Sequence, residues 1–210
     1  MRTHTKETQG ILTPELALDI LKDGNERFVN NVKAHRNLLE QVNETSAGQF
    51  PFAAILSCID SRTSAELIFD QGLGDIFSIR IAGNILNEDI LGSMEFACQI
   101  AGSKLIIVLG HTKCSAVEAA CNKAVHGRNI NSLLSKIKPA IERETETKSD
   151  RNSSNKLFLQ NVTVNNVFIT VQKIREQSEI LRELEDSKQI KIIGGLYDLD
   201  TGQVTFYNHQ

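Results

Sequence analysis

The run Phe52-Ala53-Ala54-Ile55-Leu56-Ser57 constrains this chain more than any other feature. A strand with apolar side chains at successive positions has no face to give to water, so it fits a parallel sheet covered on both sides. Asp75–Ile79 and Lys104–Leu109 read as two further strands, with Gly72 and Gly74 marking the turn before the first of them. Around them the spacing predicts helices over Pro14–Val32, with Thr13 as cap and Pro14 in the first turn, over Ser64–Phe69, and over Asp89–Ala101, closed by Gly102. Strands that alternate with helices at this pitch argue for an open α/β sheet.

Further along, Ser115–Val125 and Ile130–Ile141 read as helices, and the charged, Ser- and Asn-rich Glu142–Asn155 as a surface loop. Leu157–Gln177 is rich in β-branched residues, which lower helix propensity. Even so, Val164, Val167, Phe168, Val171 and Ile174 share one helical face, and helix is the better reading. Ile190–Tyr197 and Val204–Tyr207, joined through Asp198-Leu199-Asp200-Thr201-Gly202, form a terminal β-hairpin, while the polar Asn37–Gln49 reads as a connection. With 40% hydrophobic positions the chain can bury a real core, and residues 1–210 read as a single domain: a helical arm over about 13–35 and an α/β core over about 50–210.

Charge and composition exclude several roles. The 23 basic and 26 acidic side chains give a formal charge of −3 with no long basic run, so no nucleic-acid partner is expected. The longest apolar runs fall far short of the roughly 18 residues that a membrane helix needs, so no membrane role is expected either. The polar start Met1-Arg2-Thr3-His4-Thr5-Lys6 has no apolar stretch behind it, which points to a cytoplasmic address. Four cysteines are too few for a disulfide scaffold.

Ligands of open α/β sheets gather at the carboxyl ends of the strands, and two reactive groups fall there. The first strand runs into Cys58-Ile59-Asp60-Ser61-Arg62 and the third into Gly110-His111-Thr112-Lys113-Cys114. His-x-x-Cys places two donors a turn apart, and a cysteine from the neighbouring strand completes a tripod; two thiolates and an imidazole suit Zn²⁺. Each of these cysteines taken alone reads more readily as a small core residue than as a ligand. Asp60 has two possible places, on the metal, closing the site, or beside it, orienting a bound hydroxide. A bidentate pair with Arg62 favours the second. Cys98 and Cys121 read as core thiols, and His4, His35, His126 and His209 as surface residues. Gly72-Leu73-Gly74 is no dinucleotide fingerprint, since a strand and not a helix follows it.

Cys58-x-Asp60-x-Arg62, followed by His111-x-x-Cys114, resembles the β class of carbonic anhydrases. The likeness extends in order through Ala65-Glu66-Leu67-Ile68-Phe69, Ile79-Arg80-Ile81-Ala82-Gly83-Asn84, Ser93-Met94-Glu95-Phe96 and Gly195–Gly202. It implies a mostly parallel four-stranded sheet extended by an antiparallel strand and flanked by helices. It also implies one zinc per chain on Cys58, His111 and Cys114, and hydration of CO₂ to bicarbonate and a proton by a zinc-bound hydroxide that Asp60 and Arg62 orient. Gln49, Phe77, Ala82, Gly83 and Phe96 then line the substrate site. The resemblance further implies dimers, some paired into tetramers, with an N-terminal helix embracing the second subunit and the active sites at the interface. Two positions depart from the family pattern: Ser115 stands where glycine is usual after the last ligand, and Ile81 where asparagine is usual. The chain has no tryptophan, and Ile55 holds the place of the tryptophan found in the bicarbonate-regulated subgroup, so an open site with water on the metal at neutral pH is expected. Hydrolysis of CS₂ or COS on the same scaffold, and a non-catalytic zinc protein with Asp60 on the metal, are the alternatives.

Overall fold

The computed structural model describes residues 3–123, 125 and 127–207, so the expectations for His126 and His209 lie outside the described residues. Five strands form one sheet: β1 (Ala53–Ser57), β2 (Ile76–Arg80), β3 (Leu105–His111), β4 (Lys191–Tyr197) and β5 (Val204–Tyr207). Their order is β2-β1-β3-β4-β5, with the first four parallel and β5 antiparallel to β4 through the expected hairpin. The unbroken apolar runs are explained by covering on both faces. Along β1, Ala53 and Ile55 enter one core while Ala54 and Leu56 enter the other, and β3 divides Leu105, Ile107 and Leu109 from Ile106 and Val108 in the same way.

The N-terminal part of the chain forms α1 (Lys6–Gly10), α2 (Pro14–Val29) and α3 (Leu38–Thr45), and α2 with the short α4 (Ala65–Ile68) supplies core side chains against one face. Thr13 caps α2 by accepting from Leu16 N, as expected, and the helix inserts Ala17, Leu18 and Leu21 against its own sheet. It ends at Val29, short of the expected Val32, because Asn31 turns left-handed with φ 54°. Asn37–Gln49 is not merely a connection: Asn37 caps α3 there. This helix was hidden because the side chain it buries is polar, Gln41, whose amide oxygen accepts from Leu73 N in the Gly72–Gly74 turn. Leu38, Leu39 and Val42 of the same helix stay exposed.

The other face carries α5 (Glu88–Glu95), which widens into a π turn over Phe96–Ile100, together with α9 (Lys156–Gln177) and α10 (Glu179–Asp186). Helix α9 forms where expected, but its buried stripe differs from the expected one. Val164 and Phe168 are only half-buried, and Thr163, Asn166 and Thr170 join Val167, Val171 and Ile174 inside. Glycine lets α9 approach, since a Cβ on Gly110 or Gly194 would lie 2.6 Å from a methyl of Val167. At the carboxyl end of the sheet sit α6 (Ser115–Cys121), α7 (Arg128–Ser135) and α8 (Lys138–Arg143), around a third core with Cys58, Cys114 and Phe158. The single helix expected over Ile130–Ile141 breaks before Lys138 because Pro139 has no N–H to give and its ring clashes with the carbonyl of Ser135.

Candidate metal centre and active site

The parallel register pairs Ser57 of β1 with Leu109 of β3, so Cys58 and His111 leave neighbouring strands at the same end of the sheet. Cys114 follows as the residue that opens α6, and the donor atoms of Cys58, His111 and Cys114 all lie within 4.8 Å of one another. All three are buried, and the two sulfurs are 3.9 Å apart. Among the described residues this is the one cluster of three such donors that close together.

The surroundings fit a metal ion. His111 Nδ1 lies 2.9 Å from the carbonyl of Thr112 and donates to it as the N–H tautomer. The lone pair is then left on Nε2, a buried atom with no hydrogen-bond partner. A polar atom orphaned in this way is costly unless a ligand meets it. The Cys58 thiol is lowered from its ordinary value, chiefly by the hydrogen bond from Cys114, with help from the Gly83 amide and against burial. The Cys114 thiol is raised by that same pairing and by burial. Two sulfurs thus share a proton that a divalent cation would displace, and this donor set suits zinc.

Asp60 and Arg62 form the expected bidentate pair, with Nε to Oδ1 at 2.9 Å and Nη2 to Oδ2 at 2.7 Å. That pairing holds the Asp60 carboxyl well below the usual carboxylate range. The backbone between Cys58 and Thr63 is braced by contacts that motif reading passed over. Arg80 Nε donates to the Cys58 carbonyl at 3.0 Å and its Nη2 to the Asp60 carbonyl at 2.6 Å, while the Thr63 hydroxyl reaches the same two carbonyls. The register held the signal, because Arg80 sits opposite Ser57 at the end of β2. On the other side, Leu199 N donates to Thr112 Oγ1 and Thr112 N to the Tyr197 carbonyl, tying the hairpin to the His111 loop.

The remaining expected residues divide. Gly83 and Ala82 lie beside Cys58 in a short 3₁₀ turn, and Gly83 N donates to Cys58 Sγ at 3.3 Å. Phe77 and Phe96 line one surface groove with Arg80, and Phe96 is 55% exposed. Gln49 is exposed. Ser115 is exposed at the start of α6, so it does not crowd the centre, and Ile81 packs among apolar side chains of two cores. Cys98 and Cys121 are buried, and burial pushes their thiols up to about 12 and about 11.

A buried Cys-His-Cys tripod on an open, mostly parallel sheet, with an Asp–Arg pair beside it, defines a class of α/β metalloenzyme. Comparison with known proteins names it. The family model described as carbonic anhydrase matches residues 53–204. Carbonic anhydrase 2 of Mycobacterium tuberculosis is 34% identical over 204 residues, covering 93% of this chain and 94% of the relative. The carbonic anhydrase of Mycolicibacterium smegmatis is 32% identical over 197 residues, with coverage of 93% and 94%. Among solved structures, a tetrameric β-carbonic anhydrase of Sordaria macrospora superposes with a TM-score of 0.73 at 20% identity, covering 93% of this chain and 95% of that one. The chain belongs to the carbonic anhydrase family, in its β class, a class of carbonate dehydratases. Among the described residues no helix is long and apolar enough to cross a membrane.

Proposed function

We propose that this chain catalyses the reversible hydration of CO₂ to bicarbonate and a proton, with one zinc held by Cys58, His111 and Cys114. The observation that carries the reading is the unpartnered, buried Nε2 of His111 converging with two cysteine sulfurs. Zinc bound there supplies a Lewis acid that lowers the pKa of a water from 15.7 towards about 7. The ionised Asp60 is acceptor-only, so it takes the proton side of the attacking water's hydrogen bond and leaves the oxygen lone pair aimed at carbon. Arg62 occupies both carboxylate oxygens, which keeps Asp60 charged and beside the metal position, as an open site requires.

CO₂ is small and apolar and needs an apolar wall, whereas the developing bicarbonate oxygens need a donor. Phe77, Phe96 and Ala82 supply the wall, and the Gln49 amide the donor. Because Gln49 and Phe96 are exposed, they serve the centre of a second copy, in a dimer whose contact uses outward-facing Leu38, Leu39, Val42 and Phe96. The tetrameric assembly of the Sordaria relative supports such self-association.

Stopped-flow CO₂ hydration by the zinc-loaded protein, with Asp60→Asn as control, tests the reading. Activity that rises from neutral to alkaline pH and is lost in the control is expected. No activity across that range would sink it. Metal analysis gives a second check: one zinc per chain, lost in Cys114→Ala.

A further inference from the structure

Helix α9 buries three polar side chains on the face it turns to the core, Thr163, Asn166 and Thr170, and Asn166 is only 2% exposed. Burying an amide or hydroxyl costs free energy unless it is hydrogen-bonded, so the partners explain the residues. The Thr163 hydroxyl stays within its own helix, donating to the Leu159 carbonyl at 2.8 Å. The other two reach across to a single loop: Asn166 Nδ2 donates to the Gly83 carbonyl at 2.8 Å, and Thr170 Oγ1 to the Asn84 carbonyl at 3.4 Å.

The loop they hold is costly in itself. Gly83 and Asn84 are both left-handed, with φ of 70° and 42°, and a side chain in that region costs roughly 1 kcal/mol or more. A β-carbon on Gly83 would also lie 2.9 Å from Ile137 Cδ1. The turn closes by Asn84 N donating to the Ile81 carbonyl at 2.9 Å. What this conformation achieves is to aim the Gly83 N–H at Cys58 Sγ.

We infer that Asn166, assisted by Thr170, is a positioning residue for the metal centre, pinning the Ala82–Asn84 turn so that the Gly83 amide stays hydrogen-bonded to the Cys58 sulfur. The inference rests on the reading of Cys58 as a metal ligand. An amide hydrogen bond draws charge from a thiolate and fixes the direction of its lone pairs. It therefore sets both the grip on the metal and the energy of sulfur-to-metal charge transfer. A side chain 83 residues along the chain from Gly83 thereby tunes a ligand it never touches.

The test uses the full-length chain loaded with cobalt(II), read by its thiolate-to-cobalt absorption, and chelator competition for zinc as a second reading. Asn166→Leu is expected to move the charge-transfer band to lower energy and to weaken zinc binding about 10-fold. Thr170→Val does the same to a smaller extent, and Thr163→Val, which removes a hydroxyl bonded only within α9, changes neither. A folded Asn166→Leu chain with the wild-type band and affinity overturns the proposal, and so does an equal shift in Thr163→Val. Should Asn166→Leu not fold, Asn166→Ser, too short to span the gap, decides by the same two readings. A wild-type chain without thiolate–cobalt absorption overturns the metal reading and this inference with it, an outcome distinct from a wild-type band in Asn166→Leu.

Discussion

Asp60 and Arg62 show how much two residues decide. Their bidentate pair takes one lone pair on each carboxylate oxygen and keeps the group charged, while the remaining lone pairs stay available to accept a hydrogen bond from water. The ordinary value for such a carboxyl is 3.8, and here it is lowered, so the ion pair contributes above that value and is lost only as pH falls below it. In an acid titration followed by NMR of the Asp60 carboxyl carbon, the group is expected to stay ionised well below the usual range. In Arg62→Ala it should titrate near the ordinary value. Asp60→Asn should lower kcat/KM by about 100-fold or more, because the water loses its acceptor while the tripod keeps its metal. The five residues of this pair and tripod were legible in the chain because each element of the motif is contiguous or a turn apart. Arg80 was not, because its partners are two carbonyls in the loop that follows β1 and a carbonyl has no sequence signature.

At the scale of elements, strands were easier to read than helix ends. β1 and β3 are apolar on both faces and admit one interpretation. Helix α3 was missed because it docks through Gln41 and turns its leucines outward, reversing the usual pattern. Helix α2 is fastened by a polar residue too. Asn25 donates to the carbonyls of Ile68 and Gly202 at 3.1 Å and 2.9 Å, and its oxygen accepts from Val204 N at 2.9 Å. These bonds satisfy backbone groups at the start of the edge strand β5, which blunts it as a pairing site. Asn25→Ala strands those groups and should cost about 1–3 kcal/mol, read as a drop of several degrees in the midpoint of thermal unfolding. Metal content of the folded fraction should not change, since Asn25 lies away from the tripod.

For the whole molecule, the exposed apolar side chains are the informative feature. Leu39, Phe96 and Ile100 are large and uncovered, and Phe77 and Phe96 line a groove of about 820 Å³ that borders the Arg80 clamp. In the proposed dimer a second copy covers these side chains and completes the substrate wall. Leu39→Asp and Phe96→Asp should each weaken the dimer by about 2 kcal/mol, roughly 30-fold in dissociation constant, as measured by sedimentation. Hydration activity should fall with the dimer while zinc stays at one per chain. Retained activity in a monomer would show that Gln49 and Phe96 do not act across the interface.

The amino-acid sequence by itself determined the sheet, the tripod and the Asp–Arg pair, because apolar runs and short-range spacing survive without knowledge of the fold. Only the tertiary structure decided what steadies them. The Arg80 clamp on the Cys58 and Asp60 carbonyls and the Asn166 hold on the Gly83 turn join segments far apart in the chain through backbone groups that every residue carries alike. A donor or acceptor common to all residues carries no address in a sequence, and it acquires one only when packing brings its partner within reach.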